Sequence, residues 1–214
     1  MKTLAQIRAK VRYLIDETND TTPVTWQNAE LTEYINDGQI FVLSEMVKVN
    51  PDYSLARATA SMVASQSAYV MPADLFANKF RGIWRYSPTA GPRVELKYAS
   101  NDTIMALQHI LGAPAYYTFI DPSLVLGPVP DAVYTMEMWY TARPTTLSGD
   151  GDNCWFKDEE VAAVEAWAAI KALNRIDRDA TKVIKILDSV LSQIKANITP
   201  DDNLTMEYAP LDMS

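Results

Sequence analysis

The sequence predicts an α+β fold, in which a helical bundle made by both ends of the chain carries an inserted antiparallel β-domain. Three observations predict it. Apolar residues recur at helical spacing over 1–46 and 157–198, period-two alternation broken by prolines and turn residues fills 54–147, and no catalytic cluster interrupts either part. The organisation that follows is 1–50 with 155–198 as the bundle, 53–147 as the β-rich insertion, and 199–214 as a C-terminal arm.

Thr3 and Gln6 form a capping-box pattern, and Leu4, Ile7, Val11 and Leu14 follow on one face, so the first helix is expected to run to about Glu17. After the polar stretch around Pro23, Thr25 is the expected cap of a second helix. Trp26 takes its first position, and Leu31, Ile35, Ile40, Phe41, Leu43 and Met46 lie along it. Gly38 costs this helix about 1 kcal/mol relative to alanine, which points to close packing or a bend. Asn50, Pro51 and Asp52 stop the helix.

Leu55, Arg57, Thr59 and Ser61 then alternate with Ala56, Ala58 and Ala60, and 67–71 reads as a second strand cut by Pro72. The runs 80–86 and 94–98 flank a Pro-Thr-Ala-Gly-Pro turn and predict a hairpin. A short helix is expected over 102–111 with Gly112 as its stop, then a hairpin of 116–120 with 124–126, then a strand over 134–141 with two differently used faces. Asp158 is the expected cap of the third long helix, with Glu159 and Glu160 in the first turn where the helix dipole favours them. Val161, Val164, Trp167, Ile170 and Leu173 form its stripe, and alanines thin its other faces so that neighbours can approach. Asp179 is the expected cap of a fourth helix. Val183, Leu187, Val190 and Ile194 lie on one line of it, widened by Ile184, Ile186, Leu191 and Ile198 to a breadth that suggests contact on two sides.

Composition narrows function. A chain of 214 residues can bury roughly 70% of its unfolded surface and needs neither disulfide nor metal to fold. The net charge of −8 disfavours general nucleic-acid binding unless basic residues gather on one face. Lys2, Arg8, Lys10 and Arg12 do gather, with Arg8 and Arg12 on a shared face; a solvated outer surface is the favoured reading, and a face toward DNA or an acidic partner is the alternative. The lone Cys154 excludes an internal disulfide and a cysteine-rich zinc site. No signal-peptide pattern and no membrane-length apolar run occur, so a soluble chain synthesised in the cytoplasm is expected.

Catalytic chemistry is scarce. His109 is the single histidine, and neither it nor Cys154 lies in a nucleophile context. Asp150-Gly151-Asp152-Asn153 lacks the later ligands of a calcium loop and reads as a flexible turn. No metal, cofactor or catalytic residue is therefore expected. Tyr116, Tyr117, Phe119, Tyr134, Trp139 and Tyr140 concentrate in the β-region, where core packing is the plain explanation and excess rings would serve a protein contact. The tail after Pro200 reads either as a frayed terminus or as an arm that orders on a partner through Leu204, Met206, Tyr208 and Leu211.

Thr25-Trp26 with Ala29-Glu30-Leu31, Ile35-Asn36 and Gln39 resembles the opening helices of head-to-tail adaptor proteins of tailed bacteriophages. Tyr69-Val70-Met71-Pro72-Ala73-Asp74 resembles their strand-to-turn element, and Leu126-Gly127-Pro128-Val129-Pro130-Asp131, continuing to Glu137-Met138-Trp139-Tyr140, resembles their late β segment. The resemblance spans roughly 4–198. It implies a structural virion protein of the neck, similar to the tail-tubular or connector class of short-tailed phages. Such a protein forms a ring, usually a dodecamer, between portal and tail nozzle, and extends a channel that genomic DNA crosses without sequence-specific binding. The apolar tail residues, with Ile184 and Leu191, are then the candidate contacts to the portal or a neighbouring subunit. Two rivals stay open: a carbohydrate-binding or tail-fibre-like module using the aromatic β-region, and a hydrolase using His109 or a carboxylate pair.

Overall fold

The computed structural model describes residues 1–17, 26–87, 91–120 and 122–199. In chain order the first elements are α1 (Leu4–Leu14), α2 (Asn28–Val49), β1 (Leu55–Met62), β2 (Ala68–Val70), β3 (Leu75–Tyr86), β4 (Val94–Glu95) and β5 (Lys97–Tyr98). There follow α3 (Asn101–Leu107), β6 (Tyr116–Ile120), β7 (Ser123–Gly127), β8 (Tyr134–Ala142), α4 (Asp158–Arg175) and α5 (Thr181–Ile198). Two compact units result: Met1–Asn50 with Thr146–Ser214, and Pro51–Thr145. The α+β class expected from the sequence holds.

In the helical unit α4 is the central element, packed against α1, α2 and α5. Its alanines explain this: Ala163, Ala166, Ala168, Ala169 and Ala172 are fully buried, so three neighbours approach one helix without a thick side-chain layer. Gly38 serves the same closeness. A Cβ built there would lie 3.1 Å from the Val164 carbonyl oxygen and 3.2 Å from Trp167 Cδ1, whose ring stacks on Phe41 at 3.8 Å. Gly38→Ala gains about 1 kcal/mol of helix propensity, but crowding against a backbone atom that cannot swing away costs about 1–3 kcal/mol. A net loss of about 1 kcal/mol is expected in a urea melt; a stabilised variant would show that the helices separate freely.

The helix starts correct three expectations. The described part of α2 begins at Asn28 behind Gln27, with Trp26 buried ahead of the helix, while Thr25 lies outside the described residues. Asp158 is the first helical residue of α4 and not its cap; the Glu160 carboxylate instead accepts the Lys157 N–H at 3.0 Å. Asp179 stands one residue before the cap position of α5, yet its carboxylate accepts both the Thr181 N–H (2.9 Å) and the Thr181 hydroxyl (2.5 Å), and these bonds hold it below the usual carboxylate range. The 149–152 turn has its own structural task. Asp150 and Asp152 carbonyls accept the Ala5 and Leu4 N–H groups, which α1 cannot satisfy internally.

The β unit is two four-stranded sheets, ordered β1-β8-β3-β4 and β2-β7-β6-β5. Met62, Ile83, Met136, Met138 and Tyr140 of the first sheet meet Tyr69, Leu124 and Leu126 of the second in one core. The 80–98 hairpin is cut short, because only β4 pairs with β3; Leu96 then turns into the core, and β5 runs parallel to β6 in the other sheet. The short helix also ends earlier than expected, at Leu107 rather than Leu111. Ile110 and Gly112 leave the helical path because their backbones bond Val129, just past β7, at 2.9 Å in an isolated bridge. The register of β3 on β8 shifts twice, between Leu75 and Phe80 and again between Phe80 and Gly82, and Ala77 and Asn78, both at positive φ, lie in the first shift.

Candidate interaction surfaces

Cys154, Asp150 and Asp152 are placed where they do structural work, and His109 is not. Cys154 is fully buried in the helical unit, its thiol 3.5 Å from Gln39 Oε1 and pushed up in pKa chiefly by burial. His109 is exposed in the β unit, just past α3. Asp152 accepts the Ser148 and Gly149 N–H groups at 2.8 Å, which lower its pKa and hold the turn that the sequence indicated, while Asp150 pairs with Arg8 of α1. Among the described residues no group of three or more His, Cys, Asp or Glu side chains could hold a metal, and no helix is long and apolar enough to cross a membrane.

The N-terminal basic cluster overturns its expected reading. Arg8 and Arg12 are 8% and 3% exposed, so their shared face points inward and is neither solvated nor free for DNA. Arg12 donates to Glu17 (2.9 Å), to the Trp26 carbonyl (3.1 Å) and to Asn28 Oδ1 (2.8 Å). Lys2 reaches the buried Glu165 at 2.7 Å, a contact that lowers the Glu165 pKa less than burial raises it. Three of the four basic residues are thus consumed within the unit, and Lys10 remains on the exposed side over the Tyr13 ring.

A cluster that sequence reading missed lies on the outer face of the β1-β8-β3-β4 sheet. Its centre is Glu137, only 5% exposed although it faces away from the sandwich core. Trp139 Nε1 donates to it at 2.6 Å, Arg57 at 2.7 Å, and Arg93 closes the third side. Arg93 also lies 4.3 Å from the centre of the Trp84 ring, which extends over Gly82, where a Cβ would stand only 2.0 Å from Trp84 Cη2. The available signal was the alternation of β8, but nothing local joins Glu137 to an arginine 80 positions away. The remaining rings mostly pack on each other: Phe80 on Phe119 at 5.3 Å, Tyr117 on Phe119 at 5.4 Å, and Tyr98 on Tyr117 at 5.8 Å.

On α5, Val183, Leu187, Leu191 and Ile194 form the buried stripe. Of the two expected contacts on this helix, Ile184 is 42% exposed whereas Leu191, at 9%, packs inside the unit and offers little to a partner. Ile186 is exposed as well and borders an open groove of about 410 Å³ lined by Tyr13, Ile15, Leu173, Arg178 and Lys182. Leu204, Met206, Tyr208 and Leu211 lie outside the described residues.

No curated protein matches the chain in sequence. A family model described as SU10 adaptor protein matches residues 2–190, spanning both the helical elements and the whole β unit. The chain belongs to the SU10 adaptor protein family and is a phage adaptor protein.

Proposed function

We propose that this chain is the head-to-tail adaptor of a short-tailed phage, forming a ring in the virion neck between portal and tail nozzle. The observation that carries the reading is the double use of α5. One side is buried in the subunit, while Ile184 and Ile186 stay exposed on the two opposite flanks of that buried stripe, and Ile184 offers apolar surface suited to a second chain. Family membership supplies the adaptor role. A net charge of −8 suits a channel wall that repels DNA phosphates and lets the duplex slide without a sequence-specific grip. The tail residues Leu204, Met206, Tyr208 and Leu211 join Ile184 as contacts to the portal or a neighbouring subunit. The work is done by surfaces and needs no catalytic group.

Electron microscopy of the full chain mixed with its cognate portal tests this: a closed ring, twelvefold on this reading, is expected on the portal end. A chain that stays monomeric and leaves the portal bare would refute it. Ile184→Asp should weaken self-association at least about tenfold, equivalent to roughly 1.4 kcal/mol, with little change in the monomer's melting. Sedimentation velocity across concentrations measures the first effect and thermal denaturation the second. Equal association of variant and parent would remove Ile184 from the interface.

A further inference from the structure

β1 is an edge strand with an open side. It pairs with β8 alone, in an unbroken antiparallel register of eight residues from Leu55↔Thr141 to Met62↔Tyr134. The Ala142 N–H donates to the Ser54 carbonyl at 3.0 Å, which sets the phase of the ladder. Even-numbered residues of β1 therefore exchange backbone bonds with β8, and Arg57, Thr59 and Ser61 direct N–H and C=O away from it. All three are exposed, and no described strand pairs with them. The edge is weakly protected: the strand has no proline, lysine or bulge, its one charge, Arg57, is paired with Glu137, and its core-facing side consists of Ala56, Ala58 and Ala60, which are only half-buried.

The chain contains a segment of matching chemistry. Leu204, Met206 and Tyr208 alternate with Asn203, Thr205 and Glu207, and Pro210 ends the run. Laid against β1, the apolar residues would extend the sandwich core over the small alanines. The polar residues would share the outer face, where Arg57 and Arg93 surround the single carboxylate of Glu137 and leave positive charge for Glu207. We infer that residues 203–208 of one copy add as a strand to the free edge of β1 in a second copy. This rests on the ring reading, and it adds a mechanism for closure. Donor segment and acceptor edge are different parts of the chain, so the contact is heterologous and propagates head to tail around a ring.

Cysteine pairs in the full chain test it. Thr205→Cys is combined in turn with Arg57→Cys, Thr59→Cys and Ser61→Cys, all on the outer face; the native Cys154 is fully buried and stays out of the reaction. Under mild oxidation, one register should convert most of the chain into an intermolecular ladder on a non-reducing gel. A disulfide that keeps the chain monomeric overturns delivery by a second copy. Intact oligomers with no disulfide in any register overturn the strand pairing and leave the ring reading standing. A chain that is monomeric at every concentration and forms no disulfide overturns both.

Discussion

Replacing Arg12 with alanine should lower the unfolding free energy by about 3 kcal/mol, the low end of what removing one partner from a buried ion pair costs. The guanidinium is 3% exposed and ties three places together: the end of α1 through Glu17, the Trp26 carbonyl ahead of α2, and Asn28 at the first turn of α2. Its loss leaves Glu17, whose side chain is 13% exposed, without that positive partner, and removes a hydrogen bond from the Trp26 carbonyl. For a chain of this length the melting temperature should fall by about 10 °C. Arg12→Lys should recover only part of the loss, because one ammonium cannot match the planar fork that serves three acceptors. Lys10→Ala, on the exposed side of the same helix, is the control and should change stability by less than about 0.5 kcal/mol. Equal effects at positions 10 and 12 in chemical denaturation would show that the buried network contributes nothing.

The same residue marks where the sequence stops being legible. Helical periodicity located α1, α2, α4 and α5 within a few residues, because an apolar stripe at i, i+3 and i+4 has no other economical use. It did not show which way charged residues face. Arg8 and Arg12 lie at a spacing compatible with either side of α1, and what draws them inward is Asp150, Glu17 and the Trp26 carbonyl, all supplied by other segments. In the β unit, turn chemistry marked the β6–β7 hairpin. It misjudged 80–98, where the burial of Leu96 carries the chain from one sheet to the other. The pairing of β1 with β8 joins residues such as Arg57 and Trp139 across most of the unit, beyond the reach of any local pattern. Alternation indicated two different faces for β8 and could not reveal that the polar one would enclose a carboxylate. The candidate contacts on α5 were legible only as a stripe too broad for one core. Their division into the exposed Ile184 and the packed Leu191 depends on where α4 lies.

Glu137→Gln should cost about 2 kcal/mol at neutral pH and should flatten the acid limb of the stability curve. In the parent protein the Glu137 carboxyl is held below its ordinary value of 4.5, first by the Trp139 N–H and then by the Arg93 and Arg57 charges, with burial acting in the opposite direction. The sign follows directly. The folded state binds this proton less readily than the unfolded chain, so the carboxylate's contribution is complete above the unfolded value and disappears as pH falls through the folded one. Glutamine keeps an acceptor for Trp139 but gives the two guanidiniums no charge to oppose. Both arginines are about half exposed, with side-chain values of 53% and 47%, so water screens part of the loss and keeps it below that of Arg12→Ala. Urea melts from pH 7 down to pH 3 should therefore show parent and variant separated at neutral pH and converging in acid. Parallel curves would mean that the proton on Glu137 is not what acid acts on here. Convergence would show that the outer face of this sheet is held together by a charge cluster, which an acidic segment docking beside Arg57 would meet already assembled.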